Sequence, residues 1–211
     1  MYARRNELPP RALAGLLCDV TTQLDEVSPP WCRRLISELN AADERATALA
    51  TTLTPRQLNW TPGPGVWSVG QCLEHLCVSN EEYLGPMSDS LEGHQRAAVQ
   101  EITPGWFGRW FIRQYIEPSS GTRRRAPKKI RPGVEIEPSI LDRFLGSNKK
   151  ARELVHCARN YDINRIRFRN PFVPVIRFTV GTGFEILSKH ERRHLVQAER
   201  IRASAEFPAR S

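Results

Sequence analysis

The chain lacks the cysteine pattern of a disulfide-stabilised protein or of a zinc site built from thiolates. Its five cysteines are widely spaced and form no C-x-x-C pair. An odd number of scattered thiols argues against both arrangements and favours a reducing compartment. We therefore predict a cytoplasmic location. The cysteines are Cys18, Cys32, Cys72, Cys77 and Cys157.

Long apolar runs are also missing. No stretch approaches the length of about 20 residues that a membrane-spanning helix needs, so we expect no membrane partner. A short apolar stretch, Leu13 to Cys18, follows several arginines, as in a lipoprotein signal. It is too short for such a signal, and Leu17 stands directly before the cysteine, where a small residue is needed. The sequence contains no internal repeat and no long low-complexity tract.

Basic residues are in excess, but they form no dense tail. The formal net charge is +8, and the 31 lysines and arginines are spread along most of the chain. The one concentrated run, within residues 123–131 (RRRAPKKIR), is typical of a solvated loop and can receive an anionic cosubstrate. Aromatic residues that would stack on bases are absent from this run, so it does not favour a nucleic-acid partner.

The hydrophobic periodicity is helical nearly everywhere, and the strand signal is weak. Ser28 followed by two prolines predicts a helix start, and Ser68 with Gln71 forms the pattern of a capping box. Proline-rich turns separate the periodic segments. Four long helices are predicted: from Ser28 to before Pro55, from Ser68 to about Leu84, from about Ile140 to Asn160, and from Thr179 or Thr182 to about Glu206.

These helices predict an all-α fold, a four-helix bundle with a long irregular crossover between helices 2 and 3. The crossover runs from Gly85 to Pro138 and contains a short aromatic helix around WFGRWFIRQYI. We assign residues 1–28 to a partly ordered N-terminal leader and residues 29–207 to the bundle domain.

The last helix contains the letters KHERRH, which fit the H-E-x-x-H pattern of zinc proteases. His190 and His194 are one helical turn apart on the apolar face, a spacing that lets two imidazoles reach one ion. In a protease of this pattern Glu191 would be the general base. The third ligand of such proteases lies further along the chain, where no histidine remains, so a protease is not favoured. The pair alone fits a different kind of metal site and fits equally well two histidines that are solvated or packed in the core.

A third ligand must come from upstream, where three histidines remain. His94 lies in the irregular crossover, and His156 lies in the third helix beside Val155 and Cys157. His75 lies at the border of the apolar face of the second helix. It is the strongest of the three candidates, although the spacing alone leaves the others open.

Four stretches together resemble the DinB/YfiT-like superfamily of metalloenzymes over about residues 30–205. They are LNWTPGPGVWSVGQCLEHL, APKKIRPG, NPF and KHERRHLVQAERI. The resemblance implies a three-histidine site at one end of a four-helix bundle, for one divalent metal ion, commonly zinc or nickel. Carried onto this sequence, the ligands are His75, His190 and His194.

Three imidazoles leave a coordination position open, which is typical of catalytic sites. Characterised relatives include thiol transferases that use small thiols such as bacillithiol or mycothiol, and dimers are frequent among them. The resemblance therefore implies a metal-dependent enzyme that activates a thiol or water, acts on a small molecule and can form a homodimer. The alternatives are a non-catalytic metal-binding or stress-response protein and a basic helical nucleic-acid-binding module.

Three further side chains have two interpretations each. Trp67 is expected to pack its loop onto the bundle, with ligand contact as the alternative. Glu191 can orient an imidazole or form a surface salt bridge. Cys72, one turn before His75, is expected to be a buried free thiol rather than a group near the metal.

Overall fold

Helices and one short hairpin make up the computed structural model, which describes residues 28–117 and 126–209. The predicted leader lies outside the described residues except for Ser28. The helices are α1 (Pro30–Ala50), α2 (Pro55–Asn59), α3 (Val69–Asp89), α4 (Trp106–Phe111), α5 (Ile140–Ala158) and α6 (Val180–Arg202). The strands are β1 (Arg167–Arg169) and β2 (Arg177–Thr179). Within these ranges no helix has both the length and the apolar character needed to cross a bilayer.

The starts of the long helices follow from local chemistry. At α3 the Ser68 hydroxyl accepts from the Gln71 backbone N–H at 3.1 Å, and the Gln71 side chain accepts from the Ser68 N–H at 3.0 Å. This capping box confirms the predicted start of the second long helix. The side chain of Thr179 caps α6 in a similar way, with the Thr182 N–H as its donor at 3.2 Å. The predicted start of the first long helix at Ser28 is one residue too early, because Pro29 is the N-cap of α1 and no side chain caps it.

The α3 helix is longer than predicted. The sequence places its end near Leu84, before a glycine and a proline, whereas the helix continues to Asp89 with Pro86 inside it. A proline inside a helix removes one backbone hydrogen bond. The buried side chains of Leu84 and Met87 offset this loss by extending the apolar face. The crossover to α5 therefore starts at Ser90.

The four long helices α1, α3, α5 and α6 form the bundle. Each of α1 and α3 packs against both α5 and α6, so α1 and α3 lie diagonally opposite each other in the bundle. The predicted all-α fold, a four-helix bundle with a long crossover between its second and third long helices, is confirmed. The crossover contains α4, which continues as a π-helical turn (Ile112–Ile116), and later a 3₁₀ turn (Lys128–Ile130).

Polar side chains divide the core of the bundle into two apolar clusters. On three helices a buried polar residue lies between a member of one cluster and a member of the other. We call Asn80, Asn148 and Glu191, together with Asp43 on α1, the polar layer. The flanking residues are Cys77 and Tyr83 on α3, Phe144 and Ala151 on α5, and Leu195 and Leu187 on α6.

The antiparallel hairpin of β1 and β2 was not predicted. Each strand has three residues, too few for an alternating pattern to stand out from helical periodicity. Phe168 and Phe178 face each other across the strands and are buried. Phe168 packs against Tyr83 of α3 with ring centroids 5.8 Å apart. The approach is close enough that a Cβ on Gly183 of α6 would lie 2.9 Å from the Phe168 ring.

Candidate metal centre

The fold brings His75 of α3 together with His190 and His194 of α6. One ring nitrogen from each residue lies within 4.8 Å of the others. Two of these atoms, His75 Nε2 and His190 Nε2, are 3.1 Å apart. Two nitrogens on one tetrahedral zinc, with bonds of about 2.0–2.1 Å, are roughly 3.3 Å apart. The donor set and its spacing therefore fit a single divalent ion.

Hydrogen bonds fix the orientation of two of the three rings. His75 Nδ1 donates to the backbone carbonyl of Ile130 at 2.7 Å. His194 Nδ1 lies 3.0 Å from the Gln197 amide oxygen, to which it donates. A neutral imidazole carries one N–H, so in both rings Nε2 keeps its lone pair, and that of His75 faces His190 Nε2 at 3.1 Å. Such partners hold an imidazole in the tautomer that a metal requires.

The three imidazoles are neutral at ordinary pH. Burial lowers the pKa of His75 to about 4, an effect that the nearby positive charge of Arg193 reinforces. Burial also lowers the pKa of His194 to about 3, followed by repulsion from His75 and Arg193. The pKa of His190 is well below its ordinary value for the same reason, with repulsion from the other two rings added. No proton has to leave these rings before they bind a cation.

We expect the free energy of unfolding of the metal-stripped protein to fall as the pH drops from 6.5 to about 4. In this interval imidazoles of the unfolded chain bind protons while the folded ones do not, so acid favours unfolding. The slope is up to about 1.4 kcal/mol per pH unit for each ring. Urea denaturation at several pH values measures it. A His190→Ala variant should give a shallower slope, and an unchanged slope would contradict the neutral state of that ring.

Trp67 lies against the site. Its ring centroid is 4.7 Å from that of His75 and 5.5 Å from that of His194. The sequence favoured a packing role for Trp67 in its own loop, and the structure adds direct contact with two of the three imidazoles. This proximity of an indole ring shields one side of the histidines from water.

Binding of Ni²⁺ or Cu²⁺ is expected to quench Trp67 fluorescence, because the indole lies beside two of the rings. Titration of tag-free protein, followed by tryptophan emission, measures the effect. Trp67→Phe should remove most of the signal. Trp60→Phe is the matched control, since Trp60 packs on Phe207 with centroids 5.4 Å apart. Equal quenching in wild type and Trp67→Phe would contradict the assignment.

A loop of the crossover, residues 126–136, is fastened over the start of α3. The Gln71 side chain donates to the Gly133 carbonyl at 2.8 Å, and the Glu74 carboxylate accepts from the Gly133 N–H at 2.6 Å. The side-chain amide of Asn59 forms two hydrogen bonds with the backbone of Ile136, at 2.9 and 2.8 Å. These contacts hold the loop whose Ile130 carbonyl orients His75.

Glu191 has neither of the two roles considered from the sequence. Its side chain is 1% exposed, and its nearest partner is the Asn80 amide, which donates to it at 2.7 Å. The Asn148 amide lies 3.4 Å from its other oxygen and donates to Asp43 at 2.8 Å. Burial raises the pKa of Glu191 to about 8. Glu191 is thus part of the polar layer, with no hydrogen bond to the three histidines among the described contacts.

The other candidates lie outside the three-histidine group. His94 is exposed in the crossover, and His156 is half-buried on α5. Cys72 is fully buried among apolar side chains, and burial raises its pKa to about 12. Residues 123–125 of the basic run lie outside the described residues. Lys129 pairs with Glu82, and Arg131 donates to the carbonyl of Ala126 at 2.9 Å.

The fold and the site together define a class of protein: a helical bundle in which two helices supply three neutral histidines that can bind a metal ion. A family model of the DinB superfamily matches residues 38–198, so this chain belongs to the DinB superfamily. The match covers all three histidines. Comparisons with curated proteins and with solved structures gave no match.

Proposed function

We propose that this protein is a metal-dependent enzyme that activates a thiol or water, with thiol S-transfer as the leading reaction. One divalent ion, zinc or nickel, would be held by His75, His190 and His194. The observation that carries the proposal is the set of three neutral imidazoles with ring nitrogens within 4.8 Å of one another, in two of which a hydrogen bond at Nδ1 leaves the lone pair on Nε2. Membership of the DinB superfamily supports it.

Three protein ligands suit catalysis better than a closed structural site, which uses four. When bound, a divalent ion supplies Lewis acidity that lowers the pKa of a thiol or water at the open position. Both zinc and nickel accept imidazole ligands, and a soft thiolate is a good additional donor for zinc. His190 is the one residue of the three that is only partly buried as a whole residue.

Arg193 gives the site a preference for anions. It is half-buried next to His194 in sequence, and its charge lowers the pKa of all three histidines. Its guanidinium donates to the carbonyl of Tyr115 at 2.8 Å, at the end of the π-helical turn. A fixed positive charge near an enclosed site raises the local concentration of anionic substrates. This supports a thiol that carries a carboxylate.

A cytoplasmic location and a homodimer are further parts of the proposal. Cys32, Cys72 and Cys77 are buried free thiols, as a reducing compartment favours. Nucleic-acid binding by the basic run is not favoured, since two of its three described basic residues, Lys129 and Arg131, form contacts that hold the loop.

Elemental analysis of tag-free protein, followed by assays with a panel of small thiols and electrophilic acceptors, tests the proposal. The expected result is one zinc or nickel per chain and metal-dependent consumption of a thiol. One bound metal without turnover of any thiol or hydrolytic substrate would identify a non-catalytic metal-binding protein. Absence of stoichiometric metal after incubation with zinc and nickel would overturn the site itself.

A further inference from the structure

The outer face of the hairpin carries three arginines that have no carboxylate partner among the described residues. Arg167, Arg169 and Arg177 are exposed, whereas the phenylalanines between them point inward. Within residues 28–117 and 126–209 none of the three forms an ion pair. Six other arginines do pair with a carboxylate: Arg34, Arg45, Arg143, Arg152, Arg165 and Arg192. The hairpin face is therefore a local excess of positive charge.

The strand register places two of these charges directly opposite each other. Arg169 pairs with Arg177 across the antiparallel strands. Backbone hydrogen bonds join Asn170 to Ile176 and Val180 to Ile166, so the alternation of the ladder makes Arg169 and Arg177 a non-hydrogen-bonded pair. Side chains are closest in such pairs, and like charges there repel. An anion held between them would relieve this repulsion.

The turn that joins the strands is apolar, exposed and well fixed. Val173 and Val175 are 43% and 90% exposed at its tip. Buried Asn170 holds the turn, because its side-chain oxygen accepts from the N–H groups of Phe172 and Val173 at 2.8 and 2.9 Å. Its amide donates to the hydroxyl of buried Tyr83 at 3.1 Å. The valines are thus presented to solvent by a rigid support.

We propose that this hairpin docks the protein onto an anionic phospholipid surface. The arginines match the phosphate headgroups, and the valine tip enters the boundary with the acyl chains. Apolar residues beside a basic face favour lipid over nucleic acid, because a nucleic acid gives the valines no apolar contact. The hairpin aromatics, Phe168 and Phe178, are buried and unable to stack on bases.

Surface docking departs from the prediction of no membrane partner, which rested on the lack of a membrane-spanning segment in the sequence. It needs no spanning helix, since a basic face and a small apolar tip bind the interface alone. It is also independent of the proposed function, because the hairpin contributes no residue to the three-histidine group.

Cosedimentation of the full chain with vesicles of phosphatidylcholine, with and without phosphatidylglycerol, tests the proposal. We expect binding only with phosphatidylglycerol, weakened by salt. Arg169→Gln with Arg177→Gln should weaken it about 25-fold, from roughly fivefold per basic residue. Val173→Ser with Val175→Ser should weaken it by about tenfold or more. Arg56→Gln with Arg200→Gln removes the same charge elsewhere and should have little effect.

Thermal unfolding and metal content of each variant establish that fold and histidine site are intact. Failure to bind phosphatidylglycerol vesicles at low salt would overturn the proposal. Equal loss of binding in the Arg56/Arg200 control would do the same, because it would show only a net-charge effect. Full vesicle binding by the valine variant, with oligonucleotides competing for the arginine face, would identify a nucleic-acid surface instead.

Discussion

Replacing His194 with alanine is expected to abolish stoichiometric metal binding, with zinc or nickel affinity falling by more than about 100-fold. The substitution removes the imidazole that Gln197 orients and leaves only His75 and His190 as ligands. Two imidazoles provide too few ligands for a stable site of this kind. Isothermal titration with tag-free protein measures the affinity, and elemental analysis measures the bound fraction. His75→Ala should give the same result.

His94→Ala is the matched control for these variants. His94 is an exposed histidine of the crossover and does not belong to the three-histidine group. Its removal should leave affinity and stoichiometry unchanged, since any metal it binds would be weak and surface-exposed. Equal metal content in His194→Ala and wild type would mean that the ion is held elsewhere, and the proposed centre would have to be abandoned.

Asn80→Ala is expected to destabilise the protein by about 3 kcal/mol, a large effect for one polar side chain. The Asn80 amide is the nearest donor to the buried Glu191 carboxyl, and alanine offers no replacement. The polar layer also joins α3 to α6, the two helices that carry the three histidines. We therefore expect a loss of metal affinity as well. Urea denaturation and metal titration measure the two effects.

Ser79→Ala is a close control because Ser79 is buried one residue earlier, and its hydroxyl has no hydrogen-bond partner in the described structure. Its loss should be close to neutral. The double variant Asn80→Leu/Glu191→Leu should recover part of the stability, because it removes both polar partners. Its metal affinity should stay low if the polar layer aligns α3 with α6. Wild-type affinity in the double variant would contradict that positioning role.

The sequence predicted the helical features whose causes are local. The capping box at Ser68 lies within four residues, and the histidine pair of α6 lies within one helical turn. The predicted end of α3 was wrong. Gly85 and Pro86 are local helix breakers that the sequence shows, whereas the burial of Met87, which continues the helix, is a tertiary effect. The hairpin was missed because three-residue strands carry almost no periodic signal.

Much of the environment of the histidines was not readable from the sequence. The acceptor for His75 is a backbone carbonyl, that of Ile130, and any residue type can supply it. Glu191 has the sequence context of a protease base, yet partners on other helices place it in the core. The contact of Trp67 with two imidazoles depends on how its loop folds back over the bundle. Each of these features arises from segments distant along the chain.

The loop fastened over α3 links the histidine site to the outside of the molecule. The ring of His75 is oriented by a carbonyl of the crossover, which α3 holds at Gly133 through Gln71 and Glu74. Displacement of residues 128–133 would therefore break the hydrogen bond from His75 Nδ1, and the ring would no longer be held in one tautomer. Metal binding and the position of this loop are therefore coupled equilibria, and each changes the other by the same free energy. A molecule that binds this loop would then lower or raise the affinity of the site for its metal without contacting the metal.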